Sequence, residues 1–262
     1  MARTAQAVTL MQREARLVRH DYVLGHSAEE YERLRRQAQT LEPVTRRLFH
    51  AIGLRPGWTC LDLGCGPGET MRLMGEIVGP SGEVTGLDRD PRAGREAIER
   101  LQATGPSRYR FIEANFESTD DIGGELFDFT FARLALLFTQ DPVAVLRRMY
   151  RWTKPGGYVA VQDLYVRTIN LYPKHEACSE LLRVILETCQ RSGQDMEFAF
   201  KLPVYFVEAG IGAPDGADIN LPMTSLEPFI AHHQDLCRSL LPRAIELGVT
   251  THARMQGVFQ DV

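Results

Sequence analysis

The sequence predicts an α/β protein whose core is a doubly wound, mostly parallel sheet. From Trp58 onward, short apolar runs alternate with helical patterns, and clusters of glycine and proline mark the turns between them. Strands that alternate with helices pair in parallel, with helices on both faces of the sheet and right-handed crossovers. The predicted strands are 59–63, 83–87, 108–113, 127–132 and 158–162, and the helices between them are 68–78, 91–104 and 141–153.

An N-terminal extension, residues 1–53, precedes this alternation and has helical character. Ser27 and Glu30 have the spacing of a capping box, in which the serine hydroxyl accepts a hydrogen bond from the Glu30 amide and the Glu30 side chain reaches back. We expect a polar helix after Ser27 and a second helix that starts at Pro43 and ends at Gly53.

The alternation stops after Asp163, and the next segment is mostly helical. A doubly wound fold can carry a substrate cap at this place. Further on, residues 217–222 predict one more strand and 225–247 a helix. The predicted units are the helical extension 1–53, an α/β core at 54–163, a helical substrate cap at 164–210, and a C-terminal part of the core at 211–262.

Composition and charge exclude several classes of protein. The 262 residues carry a net charge of −4 and a pI of about 6.0, and 44% of them are hydrophobic. A nucleic-acid-binding protein usually shows a basic stripe or a high pI, so we expect no nucleic-acid partner. No apolar run reaches the roughly 20 residues that span a bilayer, and no signal-peptide core precedes the first helix, so we expect no membrane association.

The five cysteines point to a reducing compartment. Their number is odd and none of them forms a Cys-x-x-Cys pair, which argues against a disulfide framework and against a zinc site. A cytoplasmic location is therefore expected.

The turn after the first strand is the most informative segment. Gly64, Gly66 and Gly68 alternate there between a buried strand and the start of a helix. Glycine permits positive φ angles and close approach of a ligand, and a helix N-terminus favours an anionic group. Asp88 ends the second strand and can accept both hydroxyls of a ribose. The pattern predicts a site for a nucleoside with an anionic tail.

Two ligands fit this description. The dinucleotide pattern G-x-G-x-x-G needs a third glycine where Glu69 stands, and an acidic residue there would oppose a pyrophosphate. Asp62 precedes the turn and could meet an ammonium group instead. A zwitterionic amino-acid tail therefore fits better than a pyrophosphate, although a nicotinamide-dependent oxidoreductase remains the alternative.

These segments together resemble the class I S-adenosylmethionine-dependent methyltransferases, which have a Rossmann-like core, over about residues 22–162. The matching segments are 61–68, 86–88, 111–116, 127–129, 132–134 and 154–158. The resemblance implies S-adenosylmethionine as the cofactor. It implies a cofactor site made of Tyr22, Gln37, Asp62, Gly64, Cys65, Gly66, Gly68, Asp88, Arg89, Asn115, Phe116 and Arg133.

The segment from Tyr22 to Ser27, with Arg33 and Gln37, resembles a subgroup that acts on small natural products and folds its N-terminal segment over the cofactor. This implies methyl transfer to oxygen, nitrogen or carbon of a small, apolar or aromatic substrate. We expect the segment up to Gln37 to be a lid. An arm for homo-oligomerisation is the other interpretation, and a non-catalytic S-adenosylmethionine-binding protein is a further alternative for the whole chain.

The candidate catalytic residues are those expected beside the carboxyl ends of the strands. They are Asp163 and Tyr165 after the fifth strand, and Tyr22 and His26 in the N-terminal segment. Tyr22 is equally well explained as an anchor of the lid, and His26 as a neighbour of the helix cap. We expect no metal, because Arg133 stands where a magnesium site would need an oxygen ligand, and Asp163 is the sole carboxylate at the fifth strand.

The sequence departs from the family at two places. Phe138 stands where many relatives have a histidine after the fourth strand. The family usually ends on an antiparallel strand inserted into the sheet, and no clear strand follows the helix at 225–247. We expect this strand to be missing, or residues beyond 250 to replace it irregularly.

Overall fold

A computed structural model describes residues 27–165, 172, 174–220 and 225–262. The segment 1–26, with the predicted lid residues Tyr22 and His26, lies outside the described residues. Within the described ranges, no helix is both long enough and apolar enough to cross a membrane.

Strands and helices alternate through the core as the sequence predicts. The strands are β1 (Thr59–Leu63), β2 (Glu83–Asp88), β3 (Arg108–Glu113), β4 (Phe127–Arg133) and β5 (Thr153–Gln162). The helices are α1 (Ala28–Ile52), α2 (Glu69–Val78), α3 (Pro91–Thr104), α4 (Pro142–Arg151), α5 (Glu176–Arg191), α6 (Phe198–Glu208), α7 (Leu226–Glu246) and α8 (His252–Asp261), with a short 3-10 helix at Leu136–Phe138.

The five strands form one parallel sheet in the order β3-β2-β1-β4-β5. The predicted fold class is confirmed. The chain starts in the middle of the sheet, runs to one edge, and then crosses back to fill the other side. The strand order therefore reverses between β1 and β4, and ligands of such sheets bind outside the carboxyl ends of the strands at this point.

Both faces of the central strands β1, β2 and β4 are buried, which explains why these strands read as apolar runs. One apolar cluster, which includes Phe49, Met71 and Leu101, fills the face covered by α1, α2 and α3. A second cluster, which includes Leu146 and Phe206, fills the face covered by α4 and α6. Asp62, Asp88 and Arg133 all project from the first face, since they share its alternation with buried residues of that cluster.

A third apolar cluster lies away from the sheet, between α5, α7 and α8. The helix predicted at 225–247 is confirmed as α7. The strand predicted at 217–222 is wrong for the four described residues 217–220, which form no strand. Residues beyond 250 form α8 rather than an irregular segment. Because α7 and α8 pack on α5, the predicted cap and the C-terminal region share one core, and the domain boundaries stay a prediction.

Helix α1 corrects two predictions for the N-terminal extension. It is one helix that contains Pro43, not two helices, and it ends at Gly53 as expected. Packing explains the continuity, because Leu41 before the proline and Phe49 after it are both buried. The Ser27 hydroxyl does accept from the Glu30 amide, but the Glu30 carboxylate binds Arg33 and Ser239 instead of reaching back.

Candidate functional site

The glycine-rich turn joins β1 to α2 in a conformation that favours glycine. Gly64, Gly66 and Gly68 have φ angles of 67°, 46° and 78°. A Cβ on Gly66 would meet no atom within 4 Å, so this glycine faces open space, whereas a Cβ on Gly68 would lie 2.8 Å from the Ala97 Cβ of α3. Gly66 thus allows close approach of a ligand, whereas Gly64, whose Cβ would lie 2.8 Å from the Ala135 Cβ, and Gly68 allow close packing within the protein.

Asp88 ties the end of β2 to this turn. One of its carboxylate oxygens accepts from the Gly66 amide at 2.9 Å, and the other accepts from the Asp90 amide at 2.9 Å. A carboxylate has about four acceptor positions, so two remain for the hydroxyls of a ribose. The neighbouring Arg89 is exposed.

Asp62 and Arg133 lie on neighbouring strands beside the turn, and neither finds an opposite charge within ion-pair distance in the described chain. Asp62 is 1% exposed, and its Oδ2 atom has no hydrogen-bond partner there. Burial raises the pKa of Asp62 to about 7, against the opposing charge of Arg133. Burial also lowers the pKa of Arg133. An acidic group and a basic group therefore lie on neighbouring strands of the same sheet face.

Two of the predicted cofactor residues, Asn115 and Phe116, follow the end of β3. The Asn115 carboxamide oxygen accepts from the Glu117 amide at 2.9 Å in a local turn, which leaves one of its lone pairs. The Phe116 ring lies 3.6 Å from the position of a Cβ on Gly64. The described structure therefore brings this strand end beside the glycine-rich turn.

Two other predicted cofactor residues are engaged within the protein. Cys65 is buried against Gly86 of β2, burial raises the pKa of its thiol, and its amide and carbonyl are hydrogen-bonded to Leu87 and Gly68. The Gln37 carboxamide accepts from Arg33 at 3.5 Å on α1. Their contact with a cofactor stays a prediction.

Asp163 follows β5 and fixes the backbone around it. Its two oxygens accept from the Leu137 amide at 3.2 Å and from the Leu164 amide at 2.9 Å. Desolvation raises the pKa of Asp163 to about 7, against these two hydrogen bonds. Tyr165 packs edge-on against Phe200 of α6, with ring centroids 4.3 Å apart. Asp163 thus joins the 3-10 helix after β4 to the end of β5, while Tyr165 turns towards α6.

The sequence prediction missed Thr45 on α1. This residue is fully buried, and its hydroxyl accepts from Arg133 Nη1 at 3.1 Å. It also lies 2.8 Å from the Gln162 carboxamide oxygen at the end of β5. The sequence held no signal for it, because a helix predicted to start at Pro43 gives no reason to place Thr45 over the sheet.

The geometry defines a parallel α/β protein with a glycine-rich turn at the reversal point of its sheet, and comparison with known proteins identifies its family. A family model described as a methyltransferase domain matches residues 54–198. This is more than half of the chain, which therefore belongs to the class I S-adenosylmethionine-dependent methyltransferases. S-adenosylmethionine is the cofactor of this family.

Individual relatives match over part of their length. Methyltransferase phqN of Penicillium fellutanum is 27% identical over 157 residues, which are 60% of this chain and 46% of that protein. The demethylmenaquinone methyltransferase of Geobacillus kaustophilus is 31% identical over 123 residues, 47% of this chain and 50% of the relative. The chain thus spans about half the length of these curated relatives.

A solved structure of a SAM-dependent methyltransferase from Aquifex aeolicus aligns with 63% of this chain and 78% of that chain. The sequence identity is 19% and the TM-score is 0.48.

Proposed function

We propose that the protein transfers the methyl group of S-adenosylmethionine to a small molecule. One observation carries this proposal: Asp62 and Arg133 project from the same face of the sheet at its reversal point, and neither has a charged partner among the described residues. An amino-acid tail carries an ammonium and a carboxylate, which complement Asp62 and Arg133 respectively. A fit of this kind stabilises both buried charges, since a buried charge needs a partner.

The remaining groups of the cofactor would have candidate partners at the carboxyl ends of β2 and β3. Asp88 would accept the ribose hydroxyls, while Asn115 and Phe116 would hold the adenine. Within the cofactor, the sulfonium supplies the methyl group and the chemical reactivity. The protein binds it at several points and orients it, and alignment of this kind can lower a barrier by about 7–11 kcal/mol.

The identity of the acceptor is a separate proposal. We propose a small, apolar or aromatic natural product, supported by the likeness to a subgroup with such substrates and by the similarity to the demethylmenaquinone methyltransferase. The apolar residues of α5 give no support, because Leu181, Val184 and Ile185 are buried against α7 and α8. Oxygen, nitrogen and carbon acceptors stay open.

Asp163 is the described candidate for a general base, if the acceptor must lose a proton. A pKa near 7 suits proton transfer at neutral pH. Its two backbone hydrogen bonds equally support a purely structural role. The substitution Asp163→Asn separates these roles. Loss of a base would lower kcat and change its pH profile, whereas loss of a structural contact would lower the stability of the fold.

The oxidoreductase alternative agrees less well with the site. For a nicotinamide-dependent oxidoreductase, Asp62 and Glu69 would both oppose a pyrophosphate, and Glu69 pairs here with Arg72 and Arg100. The Tyr-x-x-x-Lys pair Tyr150 and Lys154, which could suggest an oxidoreductase, is remote from the site. Lys154 binds Asp128 at the amino-terminal edge of the sheet.

We also propose a location and a partner for the protein. All five cysteines are free and buried, which supports a reducing cytoplasm. The acidic balance supports a small-molecule partner over a nucleic acid.

Calorimetry with S-adenosylmethionine and NAD⁺ tests the proposed cofactor, and transfer of labelled methyl groups to a panel of phenols, quinones and amines tests the activity. We expect binding of S-adenosylmethionine alone and transfer to at least one acceptor class. Binding of NAD⁺ instead would overturn the cofactor, and binding without transfer to any acceptor would favour the non-catalytic alternative.

A further inference from the structure

Helix α1, which precedes the matched methyltransferase domain, supplies a residue to the site through Thr45. The family model begins at residue 54, whereas Thr45 lies in Ala28–Ile52. Its hydroxyl is 0% exposed and accepts a hydrogen bond from Arg133. This is the one hydrogen bond that the guanidinium makes within the described chain. The helix therefore reaches the basic group on which the proposed binding of the cofactor's carboxylate rests.

The hydrogen-bond network around Thr45 has a defined direction. A hydroxyl has one proton and two lone pairs. Arg133 can only donate, so Thr45 must accept from it and give its own proton elsewhere. The acceptors for that proton are the Gln162 carboxamide oxygen at 2.8 Å and the Leu41 carbonyl at 3.0 Å. The hydroxyl lone pair thus stays directed at the guanidinium.

Gln162 and Leu134 restrain Arg133 from the backbone side. The Gln162 carbonyl accepts from the Leu134 amide at 3.0 Å, immediately after Arg133. Leu134 has a φ of 53°. Among the described residues other than glycine, Leu134 alone has a positive φ. Such a conformation is costly for leucine and persists where its surroundings fix it. The network therefore fixes both the backbone after Arg133 and one edge of its side chain.

We infer that Thr45 is a positioning residue, which holds Arg133 in the orientation that binds the carboxylate of the cofactor's amino-acid tail. This inference rests on the proposed function. Because Arg133 has five N–H donors and Thr45 occupies one, the others stay available to a carboxylate. A guanidinium held in advance loses less conformational freedom on binding. The role belongs to binding of the tail, and not to binding of the nucleoside.

The test compares two ligands that differ in the tail. S-adenosylhomocysteine has the amino-acid tail, and 5′-methylthioadenosine lacks it. Thr45→Val keeps the shape and removes the hydroxyl. We expect about tenfold weaker binding of S-adenosylhomocysteine and a change within about twofold for 5′-methylthioadenosine. Thr45→Ser should restore the affinity, because it keeps the hydroxyl.

Thr188→Val is the matched control. Thr188 is also fully buried on a helix, and its hydroxyl donates to the Val184 carbonyl at 2.6 Å in the α5 cluster. This variant should bind both ligands as the unaltered protein does. Thermal unfolding of each variant shows whether the fold is retained.

A double-mutant cycle with Arg133→Met tests whether Thr45 acts through Arg133. We expect Thr45→Val to cause no further loss of affinity when Arg133 is already replaced. Equal weakening of both ligands, or no weakening at all, would overturn the inference while leaving the proposed function intact. Failure of the unaltered protein to bind S-adenosylhomocysteine would instead count against the proposed function.

Discussion

Asp88 connects the ligand site to the stability of the turn, because one carboxylate holds two backbone amides and has lone pairs left for a ribose. Charge-assisted hydrogen bonds contribute about 1.5–3 kcal/mol each. We therefore expect Asp88→Ala to weaken the affinity for S-adenosylmethionine at least about tenfold, as measured by calorimetry. Asp121→Ala is the control, because the Asp121 carboxylate also accepts from two backbone amides but lies in an exposed loop. Unchanged affinity in Asp88→Ala would remove its assignment to the ribose.

We expect cofactor binding to depend on pH through Asp62. Burial raises its pKa to about 7, so the carboxyl is largely protonated below that pH. An ammonium group binds the ionised form, and binding must then release a proton. We expect the affinity to rise by up to about tenfold per pH unit between about pH 5.5 and 7, and to level off above about pH 7.

Without cofactor, the stability of the folded protein changes with pH in the opposite direction. A carboxyl whose pKa is higher in the folded than in the unfolded protein binds more protons when folded, so its contribution to the free energy of unfolding falls as pH rises from about 4 to 7. Asp62→Asn should remove the pH dependence of binding, whereas Asp163→Asn, which replaces the other carboxyl with a pKa of about 7, should retain it. A steep dependence that persists in Asp62→Asn would contradict the assignment.

At this scale, the sequence predicts residues whose spacing follows from backbone geometry. Asp62, the glycines and Asp88 are fixed relative to the ends of β1 and β2, so their placement on one face could be read from strand and turn alone. Thr45 could not be predicted, because it depends on how α1 packs across β4 and β5. Such a contact between distant segments leaves no local pattern in the sequence.

In the turn that connects β1 to α2, Gly66 and Gly68 are needed for different reasons. Gly66→Ala introduces strain alone, since open space surrounds its Cβ position, while Gly68→Ala also drives a Cβ into α3. A left-handed conformation costs a residue with a Cβ about 1–2 kcal/mol. We expect Gly68→Ala to lower the free energy of unfolding more than Gly66→Ala does, and Gly66→Ala to lose more cofactor affinity per unit of stability lost. Urea unfolding and calorimetry on both variants measure the two effects, and the same ranking in both would contradict this division.

The carboxyl ends of β4 and β5 lead us to expect that catalysis needs no magnesium. Arg133 is a cation at the end of β4, and both oxygens of Asp163 already bind backbone amides. Hard divalent cations need several oxygen ligands. Turnover should be unchanged in excess EDTA once an acceptor is known, and a loss that magnesium restores would refute the expectation.

Two strands were predicted with the bounds that the structure has. The predicted bounds of the first and third strands coincide with β1 and β3, because a glycine and a proline precede each of them within three residues. The break predicted at Pro43 was wrong, since buried contacts on both sides of the proline outweigh its local preference. The extra strand after residue 210 failed because apolar alternation alone does not provide a sheet edge on which to pair.

The whole molecule is held together by contacts between its first described helix and its C-terminal helices. Glu30 and Arg33 of α1 form an ion pair in which both side chains are 2% exposed. Ser239 of α7 donates to the Glu30 carboxylate at 2.7 Å. At the surface nearby, Arg36 of α1 pairs with Asp235 of α7. Helix α1 thus links the sheet, through Thr45 and Phe49, to the separate cluster of α5, α7 and α8.

The buried pair should dominate this link, since removal of one partner from a buried ion pair costs about 3–5 kcal/mol. We expect Arg33→Met to lower the free energy of unfolding by about that amount, because the Glu30 carboxylate then stays buried without its cation. Replacing both residues, as Glu30→Leu with Arg33→Met, should recover most of the loss, because neither member of the pair then leaves the other's charge buried without its partner.

Arg35→Met is the matched control for this prediction. Arg35 pairs with Glu32 at the same i,i+3 spacing on the same helix, but its partner is exposed. An exposed pair contributes about 0–1 kcal/mol, so the control should be nearly silent in urea unfolding. If Arg33→Met and Arg35→Met lower the free energy of unfolding equally, the Glu30–Arg33 pair is not what joins α1 to α7. If Arg33→Met alone splits the unfolding curve into two transitions, the sheet and the α5, α7 and α8 cluster fold as separate units that this ion pair couples.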